Sequence, residues 1–154
     1  MTLPKRKSPR IPGYDYATGN YYFITICTHK KKCIFGKPET LNELGMVAKV
    51  NIESIPKYYP QITVEKFVVM PNHIHMILVL DNCENIDKMP SVTKVVGQYK
   101  MSVTKEIHKR NKDLQVWQRS FHDHIIRNQE GYNNIWEYIE YNPVKWEEDC
   151  FYVV

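Results

Sequence analysis

Residues 62–80 read ITVEKFVVMPNHIHMILVL. Ile62 to Met70 and His73 to Leu80 are rich in β-branched and large apolar residues, and Pro71-Asn72 between them is a turn dipeptide, so the stretch predicts two neighbouring antiparallel strands. Along a strand, side chains leave alternate faces. His73 and His75 therefore share one face while Ile74 and Met76 take the other, and the pair can present two ring nitrogens to one cation. Taken alone, the pattern suits two stacked structural histidines equally well.

Upstream, Tyr21 to Thr28 reads YYFITICT, an aromatic and β-branched run that predicts a strand. Leu41, Leu44, Ala48, Ile52, Ile55 and Tyr59 recur at helical spacing and predict a helix from about 41 to 58, with Pro56 kinking or shortening its end. Downstream of Pro90-Ser91, a second helix carries Val92, Val95, Val96, Tyr99, Val103 and Ile107 on one stripe, with Lys94, Lys100, Lys105 and Lys109 largely off it. Gln115 to Ile126 has room for a short strand. Asn128 is placed to cap a last helix that ends near Asn142-Pro143, because the residue before proline avoids the helical region. This order of elements predicts an α+β fold: a ferredoxin-like, RRM-like antiparallel sheet with helices packed on one face. The expected organisation is a basic arm over 1–20, a single domain over 21–146 and a tail over 147–154.

The 154 residues, 43% hydrophobic and 25% charged, fit one domain with a real core. No run approaches the roughly 20 apolar residues of a membrane span, and MTLPKRKSPR lacks the apolar stretch of a signal peptide, so the expected location is the cytoplasm. Cys27, Cys33, Cys83 and Cys150 form no C-x-x-C pair, which argues against a zinc knuckle or thioredoxin motif. The net charge of +4 is modest, but Lys and Arg cluster at Lys5 to Arg10, Lys30 to Lys32 and Lys105 to Lys112. Such clusters suit a polyanionic partner, and equally suit solvated faces.

On the last helix, Tyr132, Ile135, Trp136 and Ile139 gather on one stripe that should face the sheet. Tyr138 and Asn142, four apart, neighbour each other at its flank, and Tyr141 falls nearly opposite it. An amide oxygen can complete a cation site begun by two imidazoles. By itself Tyr138 reads as an amphipathic boundary residue; the histidine pair gives it a second meaning.

In IPGYDY, YYFITICT, VVMPNHIHMILVL, VWQRSFHDHIIRN and WEYIEYNPVKW the chain resembles the single-tyrosine HUH transposases, and among them the REP-associated tyrosine transposases and the smallest IS200-like insertion-sequence transposases. The resemblance runs from about Ile11 to Trp146. It implies Tyr138 as nucleophile and His73, His75 and Asn142 as ligands of Mg²⁺ or Mn²⁺. Trp117, Gln118, His124 and Arg127 match a family segment whose residues lie near the DNA and the active site. Where many relatives carry two aromatics this chain has Phe121-His122, which removes a competing nucleophile and leaves open whether His122 or His124 assists proton transfer.

The implied reaction is cleavage of single-stranded DNA beside a hairpin, with a repeated extragenic palindrome as the expected substrate type. Attack by Tyr138 leaves a 5′-phosphotyrosine and a free 3′-hydroxyl that can later reverse the bond, so no ATP is required; no G-x-x-x-x-G-K-[ST] loop is present. For the DNA, Lys94, Lys100, Lys105, Arg119 and Arg127 beside Tyr21, Tyr99 and Trp117 are residue types suited to a single-strand groove. The DNA-bound protein would be associated with the nucleoid. Within the family both monomers and homodimers are expected, the latter able to exchange the C-terminal helix. The alternative from another class is a non-catalytic single-stranded nucleic-acid-binding module of RRM-like fold, which requires stacking aromatics on an open sheet face. A His-x-His hydrolase of the barrel type needs roughly 250 residues and is excluded by length.

Overall fold

Strands β1 (Tyr21–Cys27), β4 (Ile62–Val69), β5 (His73–Leu80) and β6 (His122–Ile125) form an antiparallel sheet in the order β4-β5-β1-β6. The computed structural model describes residues 20–80 and 90–152; the N-terminal arm, its Lys5 to Arg10 cluster and Cys83 lie outside the described residues. Between β1 and β4 come a short hairpin, β2 (Gly36–Lys37) and β3 (Thr40–Leu41), then α1 (Glu43–Glu53) and the single turn α2 (Ile55–Tyr58). Helix α3 (Val92–His108) joins β5 to β6, and α4 (Gln129–Tyr141) follows β6. Two strand-helix-strand halves interleaved in this order are the ferredoxin-like topology.

The helix expected from 41 to 58 is divided. Pro56, without an N–H, sits in the first turn of α2, and the Ser54 N–H closes α1 by bonding Ile52 and Val50 carbonyls. At its start, Asn42 caps α1 by accepting from the Gly45 N–H at 2.9 Å. Helix α3 begins as its sequence implies: Ser91 Oγ accepts from the Lys94 N–H at 3.1 Å, and the buried residues are Val92, Val95, Val96, Tyr99, Val103 and Ile107.

Strand β5 is buried along its whole length, and its two faces feed two cores. Ile74, Met76, Leu78 and Leu80 join Ile24 and Ile26 of β1 beneath α1 and α3. On the other face Ile77 and Val79 join Tyr21, Tyr132, Trp136 and Ile139 beneath α4. The expectation of helices on one face therefore holds for α1 and α3, while α4 packs on the opposite face. Its apolar stripe has to be buried, and the first face is already filled. Strand β4 serves both layers through a bulge between Val64 and Lys66, after which Lys66 pairs with Ile77 and Val68 with His75 on the α4 side. There Lys66 pairs with Glu140 and its ammonium lies 4.0 Å from the centre of the Trp136 ring. The Tyr132 hydroxyl, on the same helix, donates to Glu65.

Burying each large side chain of this second core contributes about 1.5–3 kcal/mol. Ile77 is fully buried under α4, so Ile77→Ala is expected to cost about 2–5 kcal/mol. A lower urea midpoint at unchanged m value would register it; no loss would mean that α4 is not docked on β5.

Candidate metal and nucleophile site

His73 and His75 leave β5 on the α4 side and are both buried, 0% and 1% exposed. Their rings lie 4.6 Å apart, edge to face. Buried imidazoles need hydrogen bonds, and each has one on Nδ1 only: His73 to Asn72 Oδ1 at 2.8 Å, and His75 to Thr25 Oγ1 at 2.9 Å.

The Asn72 side chain fixes the first of these. Its Nδ2 donates to the Phe151 carbonyl at 2.8 Å and the Lys31 carbonyl at 3.2 Å, so its Oδ1 must accept from a protonated His73 Nδ1. That leaves a lone pair on His73 Nε2. Thr25 faces His75 across the β1–β5 pairing; its hydroxyl can accept from Nδ1, and that tautomer leaves the same lone pair on His75 Nε2. Neither Nε2 has a hydrogen-bond partner. Burial holds His73 down to about 4, against the opposing pull of Asp149, and burial with the neighbouring His73 holds His75 well below its ordinary value. Both rings are therefore neutral at neutral pH, the state in which imidazole binds a cation.

Asn142 closes α4 one turn beyond Tyr138 and is 3% exposed. Its Nδ2 donates to Asp149 Oδ2 at 2.6 Å. An amide oxygen turned toward that carboxylate would be repelled, so the orientation is fixed, and Asn142 Oδ1 is left buried without a partner. Three orphaned acceptors, two imidazole nitrogens and one amide oxygen, are thus gathered at one place. An orphaned buried acceptor costs about 1–3 kcal/mol, and three together fit a divalent cation, which needs lone pairs and donates no proton.

Tyr138 stands over the pair, its ring 5.2 Å from that of His75 and 6.3 Å from that of Phe23. At 42% exposed it is the accessible member of the group. Burial, with Asp149 and Cys150 nearby, pushes its phenol up to about 12. With Asn142, Asp149, Tyr141 and Lys145 it lines a cleft of about 290 Å³; the histidines do not line it. Sequence reasoning missed the segment that covers them. After α4, a 3₁₀ turn at Trp146–Glu148 brings the Phe151 ring to 4.4 Å from His73 and Trp146 to 6.0 Å, stacked. Residues 147–152, expected as a tail, lie against the site.

The residues matched to the DNA-proximal segment have mixed surroundings. Arg119, His124 and Arg127 are exposed on or beside β6. His124 pairs with Phe23 and His122 with Thr25, so both lie on the face that carries His75. Trp117 is packed against Phe35 and Tyr99, and its indole N–H bonds the Lys100 carbonyl at 3.1 Å. Gln118 is exposed, and its backbone N–H bonds the Cys27 carbonyl at 2.9 Å. The Lys100 ammonium donates to the Gln118 and Ser120 carbonyls at 2.9 and 3.0 Å. Tyr21 and Tyr99, grouped above with stacking residues, are buried, because strand alternation and the α3 stripe turn both rings into the cores.

The family model described as "Transposase IS200 like" matches residues 16–142. An uncharacterised protein of Haemophilus influenzae is 35% identical over 168 residues, covering 96% of this chain and 93% of its own length. A second protein of that organism, carried under the name REP-associated tyrosine transposase, is 31% identical over 138 residues, covering 85% of this chain and 74% of its own. Among solved structures, a REP-associated tyrosine transposase bound to a REP hairpin superposes with a TM-score of 0.58 at 20% identity, covering 95% of this chain and 74% of its own. A Deinococcus radiodurans protein described as a transposase gives 0.57 at 16% identity, with 85% and 95% covered. At these identities the two structures speak for the fold.

If Thr25 sets the tautomer of His75, Thr25→Val, which keeps the shape and removes the acceptor, should weaken Mn²⁺ binding about 10–100-fold. Calorimetric titration checks this. An unchanged affinity with an unchanged melting temperature would remove Thr25 from the site.

Proposed function

The chain belongs to the IS200-like transposases, and on that footing we propose that it nicks and rejoins single-stranded DNA beside a hairpin through a 5′-phosphotyrosine on Tyr138. The observation that carries this reading is the gathering of three orphaned acceptors, His73 Nε2, His75 Nε2 and Asn142 Oδ1, within a ring's reach of one half-exposed tyrosine. Their mixed nitrogen and oxygen chemistry suits Mn²⁺ or Mg²⁺. A divalent ion bound there supplies Lewis acidity, polarising the scissile phosphate and favouring the phenolate over the phenol.

The residues do the rest. Tyr138 Oη attacks phosphorus in line with the departing 3′-oxygen; one P–O bond forms as another breaks, and the phenol proton leaves as that oxygen becomes a 3′-hydroxyl. A phenol pushed up to about 12 holds its proton at neutral pH, so that proton has to leave as the new P–O bond forms. His73 and His75 hold position from β5, while Asn142 arrives on the same helix as the nucleophile. The reverse attack by a 3′-hydroxyl conserves the phosphodiester energy and gives strand transfer without a nucleotide cofactor.

The solved REP-associated transposase holds a REP hairpin, and a hairpin with a short single-stranded flank is the substrate type proposed for this chain. The exposed His124 stands on the site's own face of β6, and the exposed Arg119 and Arg127 flank that strand as cationic candidates for the DNA backbone. A non-catalytic RRM-like module needs the opposite arrangement, because α4 lies on the face where such a module stacks bases, and Tyr21 on that face is buried.

The test uses a single-stranded hairpin labelled at both ends, with Mn²⁺ or Mg²⁺, resolved on a denaturing gel. Wild type is expected to give a covalent adduct on the fragment 3′ of the cut. Tyr138→Phe and EDTA should each abolish it. Nicking that persists in Tyr138→Phe would assign the nucleophile elsewhere.

A further inference from the structure

Asp149 lies seven residues beyond Asn142, past the end of α4, yet its carboxylate is wholly buried beside the histidines. Asp149 Oδ2 is 3.6 Å from His73 Nε2 and accepts from Asn142 Nδ2 at 2.6 Å. Asp149 Oδ1 accepts from the Phe151 N–H at 2.8 Å. Ligand atoms of His73, His75 and Asp149 all lie within 4.8 Å of one another. Around an ion with bonds of about 2.1 Å, neighbouring ligand atoms stand about 3 Å apart and opposite ones about 4.2 Å, so three atoms within 4.8 Å of one another need to draw in by about half an ångström or more to share one centre.

Charge makes the same case. His73, His75 and Asn142 are neutral ligands, and a dication held by neutral groups in a buried site lacks the countercharge that offsets its lost hydration. In the DNA complex a phosphate supplies negative charge. In the free protein, Asp149 is the carboxylate that stands with the histidines among the described residues.

We propose that Asp149 is a further, anionic ligand of the divalent cation, supplied by the segment C-terminal to α4, which lets the chain hold its ion before DNA arrives. The proposal rests on the metal reading of the site given above. The hydrogen bonds from the Phe151 N–H and the Asn142 amide hold the carboxylate in place, and the Asn72 side chain ties the Phe151 carbonyl to the same corner that orients His73. The ion's ligands would then come from β5, the end of α4 and the turn after it.

The experiment is Mn²⁺ binding to the full chain without DNA, read by calorimetry and by the loss of the free-Mn²⁺ electron paramagnetic resonance signal. Wild type, Asp149→Asn, Asp149→Ala and His73→Ala are compared, with melting temperatures to report folding. Asp149→Asn keeps the shape and removes the charge; its one amide oxygen can keep only one of the two hydrogen bonds that the carboxylate accepts. It should bind Mn²⁺ at least about tenfold more weakly, as removal of a ligand or its orienting partner does, with the melting temperature of the metal-free protein reporting the cost of the lost hydrogen bond. Affinity within twofold of wild type in both Asp149 variants, or tighter binding, overturns the proposal. If His73→Ala loses affinity while the Asp149 variants do not, the metal site stands and Asp149 is not part of it. If none of the variants loses affinity, both this inference and the metal reading fall.

Discussion

Everything at the site depends on one strand being buried on both faces. Strand β5 sits between β4 and β1, and its period of two divides it without remainder: even positions from Ile74 to Leu80 face α1 and α3, odd positions from His73 to Val79 face α4. A slip of one residue would put two imidazoles into an aliphatic core and two aliphatic chains into the site. The register is thus held by the apolar free energy of both layers at once. The polar pair tolerates burial because its Nδ1 atoms are answered by Asn72 and Thr25.

Legibility from sequence followed the range of the interaction. The α3 stripe, the Asn128 cap and the four-residue step from Tyr138 to Asn142 are local patterns, and the structure contains each of them. The histidine face was likewise readable from alternation alone. Which face α4 would choose was not, because its stripe has the same periodicity whichever side of the sheet it covers. The division of α1 from α2 was visible only as a proline. Thr25 gave no signal at all, since its partner is fifty residues away and is set by strand pairing. Asn72 could have been suspected from its place directly before His73. Asp149 was hidden because residues 147–154 were read as a tail beyond the domain.

The surroundings of the DNA-proximal segment illustrate a related limit. Residue type identified Trp117 and Lys100 as suitable for nucleic acid, yet the indole N–H goes to the Lys100 carbonyl and the ammonium spans two further carbonyls. Those bonds secure the backbone that leads from α3 into β6. Arg119, His124 and Arg127 are exposed instead. Composition names the candidates, and hydrogen-bond accounting tells which of them have groups to spare.

Because Tyr138 and Asn142 ride on one face of one helix while His73 and His75 belong to the sheet, the site is assembled from two halves that meet only through packing. A rigid shift of α4 by an ångström would displace the Tyr138 phenol and the Asn142 amide together from the histidine pair. The apolar seam of Ile77, Tyr132, Trp136 and Ile139 therefore acts as an interlock: whatever docks α4 on the sheet brings phenol and amide to the histidines together or not at all.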